Sequence, residues 1–185
     1  MVRAAIAAVP IGGQLVLGNS LPVRTADEIA DGGRDLTVLT QRGAAGIDGL
    51  IAGAAGAAAA TGTPTVLVLG DVSFAHDVGA LACVRGLPLA IVVIDNRGGR
   101  IFDQLPVRQA GLPGDSFDRL WRTPPALDPA AAARAFGLAA ATVRSPDELG
   151  AAIAGGLAGE TVVIHAPVAP ESAATARAAA QRSHV

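Results

Sequence analysis

Short apolar runs recur along this chain, set apart by longer stretches in which small and polar residues mix. Runs at 14–17, 36–39, 65–69, 89–94, 140–143 and 161–165 are dominated by apolar and β-branched residues and read as strands. Most are apolar at successive rather than alternate positions. A strand wetted on one side alternates, whereas one covered by helices on both sides does not, so the pattern predicts a parallel sheet buried between helical layers. The intervening segments are long enough for crossover helices, predicted after Ser20 and over 46–60, 73–85, 128–136 and 145–157, with a last one over 171–182. Ser145-Pro146-Asp147-Glu148 puts a cap, a first-turn proline and an acidic first turn in the favoured order, and Gly137 reads as a stop. The predicted fold class is α/β: a doubly wound, mostly parallel sheet of about six strands with helices on both faces.

Residues 1–13 read as a linker or the remnant of a preceding element, 14–170 as one ligand-binding domain, and 171–185 as a C-terminal helix and polar tail. From 102 to 128 the chain is irregular and carries several prolines and glycines. That is too long for a plain connection and predicts a lid or a subunit contact.

Composition narrows the function. The chain has 185 residues, 51% of them apolar and 16% charged, enough for one domain with a substantial core. A net charge of −2 and only 3% aromatic residues argue against a nucleic-acid partner. The longest apolar run, 87–94, contains Pro88 and is far too short for a membrane span. The Ala-rich opening imitates a signal peptide only faintly. One cysteine, Cys83, cannot form an internal disulfide, which fits a reducing, cytoplasmic setting, and its apolar helical surroundings predict a packed thiol.

Unusual polar clusters fall where strands should end: Gly18-Asn19-Ser20, Gln41-Arg42-Gly43, Gly70-Asp71, and Asp95 to Gly99. In open α/β sheets ligands bind beyond the carboxyl ends of the strands. Asp71 and Asn96 offer a carboxylate and an amide oxygen beside Gly-rich backbone, a donor set suited to Mg²⁺ holding a diphosphate. Each cluster taken alone also fits a cap, a tight turn or a surface charge. No Gly-x-Gly-x-x-Gly follows the first strand, so a dinucleotide-binding domain is disfavoured. His76, His165 and His184 have no partners at zinc-site spacing.

Thiamine-diphosphate enzymes carry a Gly-Asp-Gly motif followed further along by an Asn pair. Gly70-Asp71-Val72 and Asp95-Asn96 are similar to it, with Val72 replacing the third glycine and Asp95 the first asparagine. The flanking stretches are more specific. Leu17-Gly18-Asn19-Ser20-Leu21-Pro22-Val23-Arg24, the run from Arg42 to Gly49, the run from Gly70 to Asp77, and Asn96-Arg97-Gly98-Gly99-Arg100-Ile101-Phe102 resemble the 2-succinyl-5-enolpyruvyl-6-hydroxy-3-cyclohexene-1-carboxylate (SEPHCHC) synthase family of menaquinone synthesis. The resemblance covers only that family's carboxy-terminal diphosphate-binding domain.

The resemblance implies thiamine diphosphate and Mg²⁺ as cofactors. Asp71, Asn96 and the carbonyl of Gly98 would hold the metal. Asn19, Ile47, Gly70, Val72, Ser73, Gly99 and Ile101 would join them in binding the cofactor, Ile47 as the apolar prop beneath its bend. Ser20, Arg24, Arg42, Ile101 and Phe102 would meet the substrates, 2-oxoglutarate and isochorismate, in a transferase reaction. No catalytic residue is assigned to this chain. The family's catalytic Glu belongs to a pyrimidine-binding, amino-terminal domain donated by another subunit, so a homo- or hetero-oligomer is implied and the chain alone is expected not to turn over. A non-catalytic cofactor-binding or interaction module, and a domain of an acetolactate-synthase-like decarboxylase, are the alternatives. Asp95, Arg97 and Arg100 depart from the family pattern. Asp95 adds a carboxylate near the expected metal, and Arg100 would either neutralise substrate or crowd it.

Overall fold

Six strands run parallel in a single sheet: β1 (Gln14–Leu17), β2 (Thr37–Thr40), β3 (Thr65–Gly70), β4 (Leu89–Asp95), β5 (Ala139–Thr142) and β6 (Val162–Pro167), in the order β2-β1-β3-β4-β6-β5. They belong to a computed structural model that describes residues 1–29, 34–113, 115–172 and 174–175. Six α-helices complete the layers: α1 (Val2–Ala7), α2 (Leu21–Ile29), α3 (Leu50–Thr61), α4 (Asp71–His76), α5 (Pro129–Ala135) and α6 (Pro146–Ala158). Most of the helix expected over 171–182, and His184, lie outside the described residues.

The uninterrupted apolarity of the central strands now has a physical cause. Successive side chains point to opposite faces. Leu67, Leu69, Ile91 and Val93 therefore enter a core under α3 and α5, while Val66, Val68, Ala90, Val92 and Ile94 enter a second core under α1, α2 and α6. Each of the two central strands feeds both layers, which is the doubly wound arrangement the pattern predicts. At the edge, β2 leaves Val38 53% exposed. The opening segment is a structural element of the second core, with Ala5 and Val9 buried in α1 and just after it.

Two helices differ from expectation. The helix expected from 46 begins at Leu50, because Gly49 before it sits in the left-handed region (φ 68°) and breaks any continuous helical path. Its first turn is capped from another element: Asp77 Oδ2 accepts the Ile51 N–H at 2.7 Å. That same demand on Asp77 interrupts the helix expected over 73–85, which divides into α4 and a 3₁₀ segment, Val78–Cys83. Cys83 consequently ends a loose turn and is exposed, not packed as its apolar neighbours predict.

The cap at α6 is the one the sequence predicts. Ser145 Oγ accepts the Glu148 N–H, and Glu148 Oε2 accepts the Arg144 N–H in return. Asp128 Oδ1 accepts N–H groups from Ala130 and Ala131 at 2.8 and 3.0 Å, which hold its carboxyl below the usual range. Asp128→Ala should cost about 1 kcal/mol and lower the melting temperature by roughly 2–4 °C. Asp128→Asn should stay near wild type by the same thermal melt.

Candidate functional site

The strand order reverses between β1 and β3, where the chain has gone out to β2 and returned, and ligands settle at such switch points. A cleft of about 1000 Å³ opens there, at the carboxyl ends of β1, β3 and β4. All the residues expected to bind ligand line it: Asn19, Ser20, Arg24, Arg42, Ile47, Gly70, Asp71, Val72, Ser73, Asn96, Gly98, Gly99, Ile101 and Phe102. Residues more than 80 positions apart in sequence are thus brought together.

Register explains the meeting of Asp71 with the Asn96 loop. Gly70 pairs with Ile94 across β3 and β4, so Asp71 and the turn after β4 leave the sheet side by side. Asp71 is 5% exposed, and its Oδ2 accepts the Gly98 N–H at 2.6 Å. Burial pushes its carboxyl up to about 6 from an ordinary 3.8. The Gly98 N–H acts against this rise, and the charge of Asp95 adds to it. No basic side chain among the described residues forms an ion pair with Asp71. Asn96 is 8% exposed, and its side-chain amide makes no hydrogen bond among the described residues. A desolvated carboxylate without a cation, beside an unengaged amide, is the charge and donor pattern that a hard divalent cation completes.

The turn itself is sharply made. Arg97 (φ 64°) and Gly98 (φ 105°) are consecutive left-handed residues. A Cβ on Gly98 would lie 2.5 Å from the Arg122 carbonyl oxygen, so glycine is required for both conformation and space. The Gly98 carbonyl accepts the Arg100 N–H at 2.7 Å and keeps a second lone pair. Asp95, whose charge bears on Asp71, already has partners of its own. Its Oδ1 accepts the Arg97 N–H and its Oδ2 lies 2.9 Å from His165 Nε2. Among the described residues no three His, Cys, Asp or Glu side chains cluster in a way that could hold a metal, which leaves the mixed oxygen set of Asp71, Asn96 and Gly98 as the candidate.

The basic corner of the cleft comes from the segments after β1 and β2. Ser20 precedes α2 in a left-handed conformation (φ 71°) rather than forming part of a helical turn, and its carbonyl accepts from Arg24 Nη1 at 2.8 Å. Arg24 is therefore held by the backbone of Ser20. Asn19 is buried, and its amide is used within the protein: Nδ2 donates to the Gly46 carbonyl at 2.7 Å, and Oδ1 accepts from Arg42 Nη1 at 3.0 Å. These bonds tie the 41–49 loop to the end of β1, and with it Arg42 and Ile47.

The sequence reading missed part of the lining. Trp121, Leu120 and Thr123 come from the irregular stretch, which folds back as short turns at Arg100–Gln104, Pro106–Gln109 and Asp118–Arg122. A lone tryptophan in a Pro- and Gly-rich segment was the available signal. Met1, Val2 and Arg3 reach the rim because α1 packs beside α2, a fact no local pattern encodes.

The family model described as thiamine pyrophosphate enzyme, C-terminal TPP binding domain, matches residues 17–166. The chain belongs to this family. Thiamine pyrophosphate, or diphosphate, is accordingly the cofactor class of the domain. The SEPHCHC synthase of Sorangium cellulosum is 43% identical over 181 residues, an alignment covering 93% of this chain and 29% of that protein. That of Myxococcus xanthus is 41% identical over 160 residues, covering 85% and 27%. The TPP-binding domain thus spans less than a third of the length of these relatives. Benzoylformate decarboxylase from Polynucleobacter necessarius superposes with a TM-score of 0.75 at 23% identity, over 92% of this chain and 32% of that one, which shows the shared fold. No helix among the described residues is long and apolar enough to cross a membrane.

Proposed function

We propose that this chain is the diphosphate-binding part of a Mg²⁺-dependent SEPHCHC synthase, which joins 2-oxoglutarate, after loss of its carboxylate, to isochorismate. The observation that carries the reading is buried Asp71 and the unengaged amide of Asn96 lining one cleft together with Arg24 and Arg42. Asp71, Asn96 and the Gly98 carbonyl would hold the metal, and the backbone from Gly70 to Ser73, with Gly99, would line the diphosphate. Bound there, thiamine diphosphate supplies electron-sink chemistry for decarboxylation of 2-oxo acids. Ile47 would be the apolar prop for the bound cofactor, and Ile101 and Phe102 would add an apolar wall to the same cleft.

Arg24 and Arg42 bring planar forks that match carboxylates in charge and geometry, which suits substrates that are themselves acids. This favours the synthase over a decarboxylase of small 2-oxo acids. The general base chemistry belongs to a pyrimidine-binding domain from another subunit, so turnover requires an assembled partner.

Calorimetric titration of thiamine diphosphate, with and without Mg²⁺, tests the reading on this chain alone and with a pyrimidine-domain chain. Mg²⁺-dependent binding is expected. Absent or metal-independent binding in both settings would overturn it. In the reconstituted enzyme Arg24→Ala should keep cofactor affinity while turnover falls roughly 10- to 100-fold, the worth of a charge-assisted hydrogen bond. Normal turnover would remove Arg24 from the substrate role, and binding without turnover in any assembly would favour a non-catalytic module.

A further inference from the structure

The carboxylate of Asp103, next to the cleft-lining Phe102, joins two turns by charge. It lies in the Arg100–Gln104 turn, which carries Ile101 and Phe102. Its Oδ1 accepts from Arg122 Nε at 2.7 Å, and its Oδ2 lies 3.4 Å from Arg100 Nη1. Both arginines also grip the metal loop. Arg100 Nε donates to the Asn96 carbonyl at 3.1 Å, and the Arg122 carbonyl accepts the Gly99 N–H at 2.6 Å. Arg122 Nη1 donates to Asp118 at 2.7 Å, closing the Asp118–Arg122 turn on itself. On the cleft side the two turns meet through Phe102 and Trp121, whose rings are edge to face at 5.5 Å, with Phe117 behind Trp121 at 6.5 Å.

Arg100 is therefore turned back onto the loop and is not simply a cation offered to substrate. Asp103 stands between two guanidinium groups at 16% and 17% side-chain exposure, shielded enough for the charges to matter. Without it, two cations would share one edge of the cleft, with Asp118 compensating one of them.

We propose that Asp103 is a positioning residue: by bridging Arg100 and Arg122 it fixes the apolar wall of Phe102 and Trp121 at a set distance from the Asn96–Gly99 loop, and so shapes the part of the cleft between metal and substrate. The effect on cofactor binding rests on the function proposed above. The effect on the wall does not.

The chain contains one tryptophan, so Trp121 fluorescence reports on this wall alone. Acrylamide quenching of the full chain is measured for wild type, Asp103→Ala and Asp103→Glu, alongside calorimetric affinity for thiamine diphosphate with Mg²⁺. Asp103→Ala should raise the quenching constant roughly twofold, and Asp103→Glu should restore most of the protection. Salt at about 1 M should raise wild-type quenching towards the Asp103→Ala value and leave that variant unchanged, because the bridge is electrostatic. Cofactor affinity of Asp103→Ala should fall about tenfold, the lower end of the range for groups that orient metal ligands.

Quenching equal to wild type, or equally salt-sensitive in both proteins, would overturn the proposal. So would raised quenching with unchanged affinity in a wild type that binds cofactor. A wild type that binds no cofactor would count against the proposed function, and the quenching and salt comparison would then decide the role of Asp103 in the wall.

Discussion

Asp71→Asn is expected to weaken Mg²⁺-dependent thiamine diphosphate binding by roughly 100-fold or more, beyond the 10- to 100-fold typical of groups that only support a metal ligand. The same substitution should make the ligand-free domain more stable near neutral pH, because the cost of the native site lies in the buried charge. Raising the carboxyl from 3.8 to about 6 corresponds to roughly 3 kcal/mol against the charged folded state. Asparagine removes that cost but accepts the Gly98 N–H more weakly than a carboxylate does. The net gain should be about 1–2 kcal/mol near pH 7, or roughly 2–8 °C in melting temperature.

The sign fixes the pH window. With the folded value raised above the unfolded one, the folded state holds the proton more tightly, so the Asp71 contribution to stability declines as pH rises from about 4 to about 6. In Asp71→Asn this decline should vanish. Metal binding follows the opposite course, since it requires the carboxylate: affinity should fall about tenfold per pH unit below about 6 and level off above it. Thermal melts across that window, paired with calorimetry, check both. Unchanged cofactor affinity in Asp71→Asn would show that the metal is held elsewhere.

Gly98→Ala should damage both stability and binding. The left-handed conformation at φ 105° costs a residue with a side chain about 1–3 kcal/mol. The new methyl, 2.5 Å from the Arg122 carbonyl oxygen and 3.2 Å from Pro124 Cα, adds an overpacking cost of the same order. A loss of roughly 2–5 kcal/mol is expected, or about 5–15 °C in melting temperature. Relief requires the turn to move away from the 122–124 segment, which lengthens the 2.6 Å contact between the Gly98 N–H and Asp71 and displaces Asn96. Cofactor affinity should therefore fall with it. Gly56→Ala provides the contrast: this glycine lies within α3 with open space around its Cβ position, and alanine there should be neutral or stabilising by up to about 1 kcal/mol. A Gly98→Ala protein that melts and binds as wild type would mean that the turn is looser than its geometry indicates.

Local chemistry carried much of this molecule into the sequence. Unbroken apolar runs identify β3 and β4 as central because each must feed two cores. Gly70-Asp71 and the Asn96-Arg97-Gly98-Gly99 run mark strand ends because Gly, Asp and Asn are disfavoured within strands and favoured in turns. The strand and cap residues were legible because their causes lie within a few positions.

What tertiary structure alone decided has causes at long range. The split of the 73–85 helix depends on Asp77 being drawn to the N–H of Ile51 in another helix, and with it the exposure of Cys83. The diversion of Asp95 to His165 depends on β4 and β6 being neighbours. The buried state of Asp71 depends on β3 pairing with β4, and the inward turn of Arg100 and the meeting of Phe102 with Trp121 depend on where the irregular stretch settles. A sequence states which groups a chain owns and how its backbone prefers to bend nearby. Which of those groups lose water together, and so acquire altered charge and chemistry, is set only when distant segments pack.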